Sequence, residues 1–304
     1  MLPDLLAAIP AHPTSEMPLT PEILFSAFLF VPVALFLSYG VRHLAAGKRP
    51  ILLMCLLGGG IASVWEPIVD TLGLCYIKGG AETSTFTLLD RTMPLFIPFV
   101  YVWYVGGMSY LSYRLIAAGI TTKGLFTLYL AEVFVNIWLE SPGVLLGAYE
   151  YYGSQPFNFW GLPLWWPMMN PVMPLLGGAL IYKLEPHLKG WHIIGIIPII
   201  PMVDGIANAA IAWPMWLTLN AGDISLWWTY AATLVTLALA LYSVWMLSLL
   251  VSRPAEEVRR LTKRELLREA MSGDAPLRTE PKDAGLTAPP VPERGAQPQP
   301  LPAG

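Results

Sequence analysis

Between residues 22 and 251 the chain runs through seven long apolar stretches while carrying nine basic residues in 230 positions. The other nine of its 18 Lys and Arg follow residue 252. Charged residues make up 13% of the chain, against about 25% in a soluble domain, and mean hydropathy is positive. A sequence this short of charge cannot clothe a water-facing surface. The expected fold is therefore all-α, a polytopic bundle of seven transmembrane helices in the cell membrane. The segments lie near 22–41, 51–72, 93–113, 124–147, 164–183, 193–217 and 226–250. Each approaches or exceeds the roughly 20 residues that cross about 30 Å of hydrocarbon at about 1.5 Å per residue.

The basic residues set the expected orientation. Arg42, Lys48 and Arg49 follow the first segment, Arg114 and Lys123 the third, Lys183 and Lys189 the fifth, and Arg253, Arg259 and Arg260 the seventh. The alternate loops hold only Lys78 and Arg91. The positive-inside rule then places the N-terminus outside and the C-terminus in the cytoplasm. Residues 1–21 form a short extracytoplasmic segment without Lys or Arg or a long apolar core, which disfavours a cleaved signal peptide. Residues 22–251 form the membrane domain.

Beyond it, Ser252 as a cap, Pro254 in the first turn and Glu256 and Glu257 at the positive dipole end predict a juxtamembrane helix over 252–272. Its thin apolar stripe and neighbouring Arg and Lys suit attraction to anionic lipid, although plain positive-inside anchoring explains them more simply. Residues 273–304, rich in Pro, Ala and Gly, are expected to be disordered. Cys55 and Cys75 are too far apart along the chain for a disulfide within one helix. With His12, His43, His187 and His192 all outside the helix interiors, the sequence implies no metal and no cofactor. The partners implied are the lipid bilayer and a lipophilic small molecule, not nucleic acid, and oligomeric state is left open.

Acidic residues inside the apolar segments carry the functional signal. A centrally placed charge costs roughly 2.5–3.5 kcal/mol on the insertion scale, so such residues face a bundle interior or a wet cavity. Glu66 and Asp70 stand four apart, as do Glu132, Asn136 and Glu140, and so do Asp204 and Asn208. Each set falls on one helix face. Counting rise from the helix starts puts Glu66, Glu140, Asp204, Asn136, Asn170 and Asn208 in one layer of the outer half, with Asp70 and Glu132 peripheral. Asp70 is expected to reach the outer interface. No Lys or Arg is embedded beside these groups, and an uncompensated carboxyl in low dielectric favours its neutral, proton-donating form.

Aromatic residues crowd the same half. Trp65 adjoins Glu66, Trp138 lies two before Glu140, and Trp103 and Tyr104 fall on the third segment. Their rings either line the cavity and stabilise a cation or belong to an interfacial belt. The loop from Tyr149 to Phe157 is expected to fold over the outer mouth as a lid. Pro163, Pro167, Pro171 and Pro174 interrupt the fifth segment, and Pro198, Pro201 and Pro214 the sixth. Broken helices at membrane depth accompany binding sites in transporters, while prolines near helix ends are also plain kinks.

Two resemblances attach to these residues. Trp65-Glu66-Pro67-Ile68-Val69-Asp70, Glu140-Ser141-Pro142-Gly143, Pro163-Leu164-Trp165-Trp166 and Asp204-Gly205-Ile206-Ala207-Asn208 resemble a family of uncharacterised actinobacterial multi-pass membrane proteins. That likeness covers most of residues 22–251 and implies no activity. The architecture is also similar, more distantly, to the small seven-helix membrane terpene cyclases of meroterpenoid pathways. Those use an intramembrane Glu on the second helix, often after Trp, with an Asp on a late helix to protonate an isoprenoid epoxide or alkene. Trp65-Glu66 matches the first element. The second departs, because the seventh segment has no acid and Asp204 lies on the sixth.

The expectation is a membrane-embedded, acid-initiated cyclase or isomerase of a lipophilic isoprenoid. Glu66 is its proton donor and Asp204 or Glu140 the counter-ion or base. Trp65, Trp103, Tyr104, Asn136, Trp138, Asn170 and Asn208 contact the substrate. The alternative is a proton-coupled transporter or lipid-binding protein using the same carboxylates. Proton-gradient-dependent flux would mark the transporter, and turnover in detergent the enzyme. A scaffold partnering other membrane enzymes is a third reading.

Overall fold

Proline and glycine decide where these apolar stretches begin, break and touch. The computed structural model describes residues 10–253 together with Glu265, Leu267, Arg268 and Met271. The helix expected over 252–272 falls outside the described residues but for a few positions, and the tail over 273–304 falls outside them entirely.

Helix α1 spans Leu19–Ala45. Helix α2, Ile51–Ala62, passes through a 3-10 turn at Ser63–Trp65 into α3, Glu66–Gly73. Pro67 sits in the first turn of α3, where a missing N–H costs nothing. Helix α4, Phe96–Val100, continues as a π-helix over Tyr101–Gly107 and then as α5, Met108–Ala117. Helix α6 covers Thr122–Leu145, and the Thr121 hydroxyl caps it by accepting from the Gly124 N–H at 3.0 Å. Helix α7, Trp165–Met169, breaks at Asn170 and Pro171 before α8, Val172–Leu184. A 3-10 stretch at Gly190–Gly195 leads into α9, Ile196–Leu219, and α10 spans Leu226–Val251.

The described residues thus form a helical bundle. Four of its helices are long and apolar enough to cross a membrane: Leu19–Ala45, Ile51–Gly73, Gly190–Leu219 and Leu226–Val251. Helix α2 lies at the centre, packed on the π-helix and on α9. Glycine permits that closeness. A Cβ on Gly59 would stand 2.5 Å from the Tyr101 carbonyl oxygen, and one on Gly58 would stand 2.6 Å from that of Ile197. Small residues at such crossings let backbones meet where apolar burial gives helices no preference for one another over lipid.

The all-α expectation needs one correction. Three two-stranded antiparallel ribbons cap one end of the bundle. They are β1 (Cys75–Ile77) with β4 (Tyr149–Tyr151), β2 (Ser84–Leu88) with β3 (Arg91–Pro94), and β5 (Asn158–Phe159) with β6 (Leu162–Pro163). Strand β3 occupies the start expected for the third segment, so that helix begins at Phe96. The non-glycine residues with positive φ among the described residues, Leu74, Leu89, Asp90, Phe157 and Trp160, all fall in or beside this cap.

Glu22 fastens α1 to it. The Glu22 carboxylate accepts the Glu82 N–H at 3.0 Å and the Thr83 N–H at 2.8 Å, and also bonds the Thr83 hydroxyl.

Candidate active site

Under the cap, α1, α3, α4, the π-helix, α6, α7, α8 and α9 line a cavity. Glu66 and Asp70 from α3 and Glu140 from α6 all line it. No Lys, Arg or His stands among its lining residues. Its volume is about 60 Å³, enough for a few waters at roughly 10–15 Å³ each.

Each carboxyl is held differently. The Tyr101 hydroxyl donates to Glu66 Oε2 at 2.8 Å. Two hydroxyls donate to Glu140 Oε2, from Tyr149 at 2.7 Å and from Tyr151 at 3.1 Å. In both glutamates the second carboxyl oxygen is left for whatever occupies the cavity. Asp70 is fully buried, and neither of its oxygens has a hydrogen-bond partner. The Cys75 thiol lies close by without reaching bonding geometry. Unpaired buried carboxyl oxygens are costly, and a native fold that keeps them calls for an explanation.

The cap supplies the donors. Pairing of Cys75 with Tyr151 and of Ile77 with Tyr149 brings both tyrosines over Glu140. Burial first, and then the Glu140 charge, push both phenols well above their ordinary range, so they remain O–H donors. Burial likewise pushes the Cys75 thiol up, followed by the nearby Asp70 and Glu66 charges, which keeps it from acting as a thiolate. Arg91 is buried at the cap edge, where it donates to the Cys75 carbonyl at 2.6 Å and to the Tyr152 hydroxyl at 3.3 Å. Its charge reaches Glu66 and Asp70 from there.

The amide residues form the other side. Asn136, Asn170 and Asn208 line the cavity, with Asn170 Nδ2 donating to Asn136 Oδ1 at 3.3 Å. Tyr104 lines it as well. The Asn136 Nδ2 and the Tyr104 hydroxyl are buried without partners.

Several expected residues sit elsewhere. Asp204 is fully buried behind Asn208, whose Nδ2 donates to Asp204 Oδ1 at 2.9 Å, and it does not line the cavity. Trp65, Trp103 and Trp138 do not line it either. Trp65 Nε1 donates to the Pro201 carbonyl at 2.8 Å, and Trp103 is buried against Tyr104. Trp138 is 58% exposed. Asp70, read from the sequence as peripheral, is instead a lining residue, because the cap covers the end of α3 that would otherwise meet the interface. Glu132 is buried, accepting from Ser112 at 3.0 Å, and stays outside the cavity.

Tyr101, Tyr149 and Tyr151 were not expected as ligands of the acids. Tyr149 and Tyr151 flank Glu150 at alternate positions, a strand-like signal that could have shown both pointing the same way.

Among the described residues, no group of three or more His, Cys, Asp or Glu side chains is placed to hold a metal ion. No family model, curated protein or solved structure matches the chain.

Proposed function

We propose that the chain is a multi-pass protein of the cell membrane, with seven spans, the N-terminus outside and the C-terminus in the cytoplasm. In this reading the cavity performs acid-initiated cyclisation or isomerisation of a lipophilic, isoprenoid-like substrate. The observation that carries it is the meeting of Glu66, Asp70 and Glu140 in one cavity without a basic lining residue. Such a site keeps a proton on a carboxyl until a substrate takes it. The reading agrees with the likeness of Trp65-Glu66 to the membrane terpene cyclases. The orientation rests on the basic residues, which gather around the loops opposite the cap.

Glu66 is the proton donor: Tyr101 fixes one oxygen, and the other delivers the proton to an alkene or epoxide. Glu140, held by two tyrosine hydroxyls, is the counter-ion to the developing cation and the base that recovers a proton. Asp204 acts through Asn208, fixing the amide that faces the cavity. The π-helix at Tyr101–Gly107 favours a site here, since such distortions concentrate where function requires them.

The test is conversion of a prenyl or epoxy-prenyl substrate by membranes carrying the protein, compared with Glu66→Gln. Product should fall by about 100-fold or more, the usual worth of a general acid. Undiminished product would remove Glu66 from the chemistry.

The same carboxyls favour a second reading, a proton-coupled transporter, through the break between α7 and α8 beside Asn170. That reading requires flux that depends on a proton gradient and is lost in Asp204→Asn.

A further inference from the structure

The cavity volume is about 60 Å³, less than a prenyl chain fills, so a longer molecule needs a wall that yields. Most of the surrounding packing leaves little freedom. Backbone meets backbone between α2 and the π-helix at Gly59, and a Cβ on Gly178 of α8 would stand 2.5 Å from the Tyr113 nitrogen of α5. The cap is closed by the pairing of β1 with β4.

The seam between α1 and α6 differs. Helix α1 packs along α4 and only sparsely against α6, and it is the least buried of the four long apolar helices. On the inner side of the seam, Phe25 and Leu29 of α1 and Leu139 and Glu140 of α6 all line the cavity. On the outer side, Phe28 and Trp138 close it as a ring pair with centroids 4.8 Å apart. Trp138 is largely exposed, on the surface that a bilayer would cover.

We propose that this seam is a lateral portal shuttered by Phe28 and Trp138, and that it admits uncharged lipophiles dissolved in the bilayer to the acid cavity. The proposal rests on the membrane reading above and narrows the substrate class to molecules that partition into lipid. Phe28 of α1 and Trp138 of α6 form the shutter across a sparsely packed seam, so it opens by rotamer change and a small local parting of the two helices, without breaking a backbone hydrogen bond. A charged or strongly hydrated molecule meets no polar path there, because the exposed faces of both helices at this level are apolar: Leu24, Phe30 and Val31 on α1, and Phe134 and Ile137 on α6.

The test needs no substrate. Dicyclohexylcarbodiimide is an uncharged lipophile that adds a carboxyl across its C=N bond, the proton going to nitrogen and the carboxyl oxygen to carbon. The full-length protein in lipid nanodiscs is treated with it, and labelling of Glu66 and Glu140 is followed by mass spectrometry. Trp138→Ala should label about fivefold faster, the factor expected for losing one aromatic pair. Trp138 faces outward, so folding should survive, and unchanged thermal unfolding checks this. Conversely, Phe28→Cys with Trp138→Cys, bridged by a short bifunctional methanethiosulfonate, should slow labelling, and reductant should restore the rate. Labelling that ignores both variants, that proceeds equally with a water-soluble carbodiimide, or that never reaches either glutamate overturns the portal. If turnover is still lost in Glu66→Gln while labelling ignores the seam, the portal fails and the catalytic reading stands.

Discussion

Asp70 is the residue whose environment the packing explains least and the cavity explains best. Both of its oxygens are buried and unbonded. A site that binds or moves protons keeps such a group at the expense of stability. Asp70→Leu, which removes the polar atoms, should therefore raise stability by about 1 kcal/mol or more, read as a higher unfolding midpoint in detergent. The same substitution should lower turnover. A stability loss would make Asp70 a structural acid with an unseen partner. Tyr101→Phe removes one donor from Glu66 and should slow turnover about tenfold, equivalent to about 1.4 kcal/mol, with little change in unfolding.

At the scale of elements, helix α1 depends on the cap as well as on apolar packing. Glu22→Ala would leave the Glu82 and Thr83 N–H groups without their acceptor and should cost about 2–3 kcal/mol in thermal unfolding, while Glu22→Gln should cost less because its carbonyl still accepts. Helix extents were legible in the sequence: the segment expected at 226–250 is Leu226–Val251, and that at 124–147 is Thr122–Leu145. Long apolar runs bounded by polar loops leave few alternatives. The ribbons were not legible. Ser84–Leu88 is mostly exposed and lacks a buried alternating face, and the register that sets Tyr149 and Tyr151 over Glu140 joins segments more than 70 residues apart. Helix geometry also held a warning about Trp138. Two residues before Glu140 is about 200° around the helix, so it had to face away from the cavity. Asp70, four after Glu66, had to share its face.

For the molecule as a whole, an orientation and a site belong together. In the proposed orientation the cap end, with Lys78 and Arg91, is outside, and the loops with Lys48, Lys123 and Lys189 are inside. Trp160→Cys, at a position 89% exposed on the cap, should react with an impermeant maleimide in intact cells. Lys189→Cys should react only after permeabilisation. The free cysteines, Cys55 and Cys75, are both buried and should give little background. The reverse labelling pattern would invert the topology. Length and charge pattern are what the proposed orientation rests on, and i, i+4 spacing located the acids. Glu66 and Glu140 meet as expected, while Asp70 joins them and Asp204 does not, because that depends on how the cap and α9 pack around the same space.

The central claim is that these three carboxyls do acid chemistry on a lipophile. Its most direct test is single-turnover conversion of prenyl and epoxy-prenyl substrates by the purified protein in detergent, where no proton gradient exists, alongside Glu66→Gln and Glu140→Gln. The account predicts cyclised or isomerised product from the unaltered protein and about 100-fold less from Glu66→Gln, with both variants folded. Product formed equally by Glu66→Gln, or no conversion in detergent beside gradient-driven flux in vesicles, would contradict it.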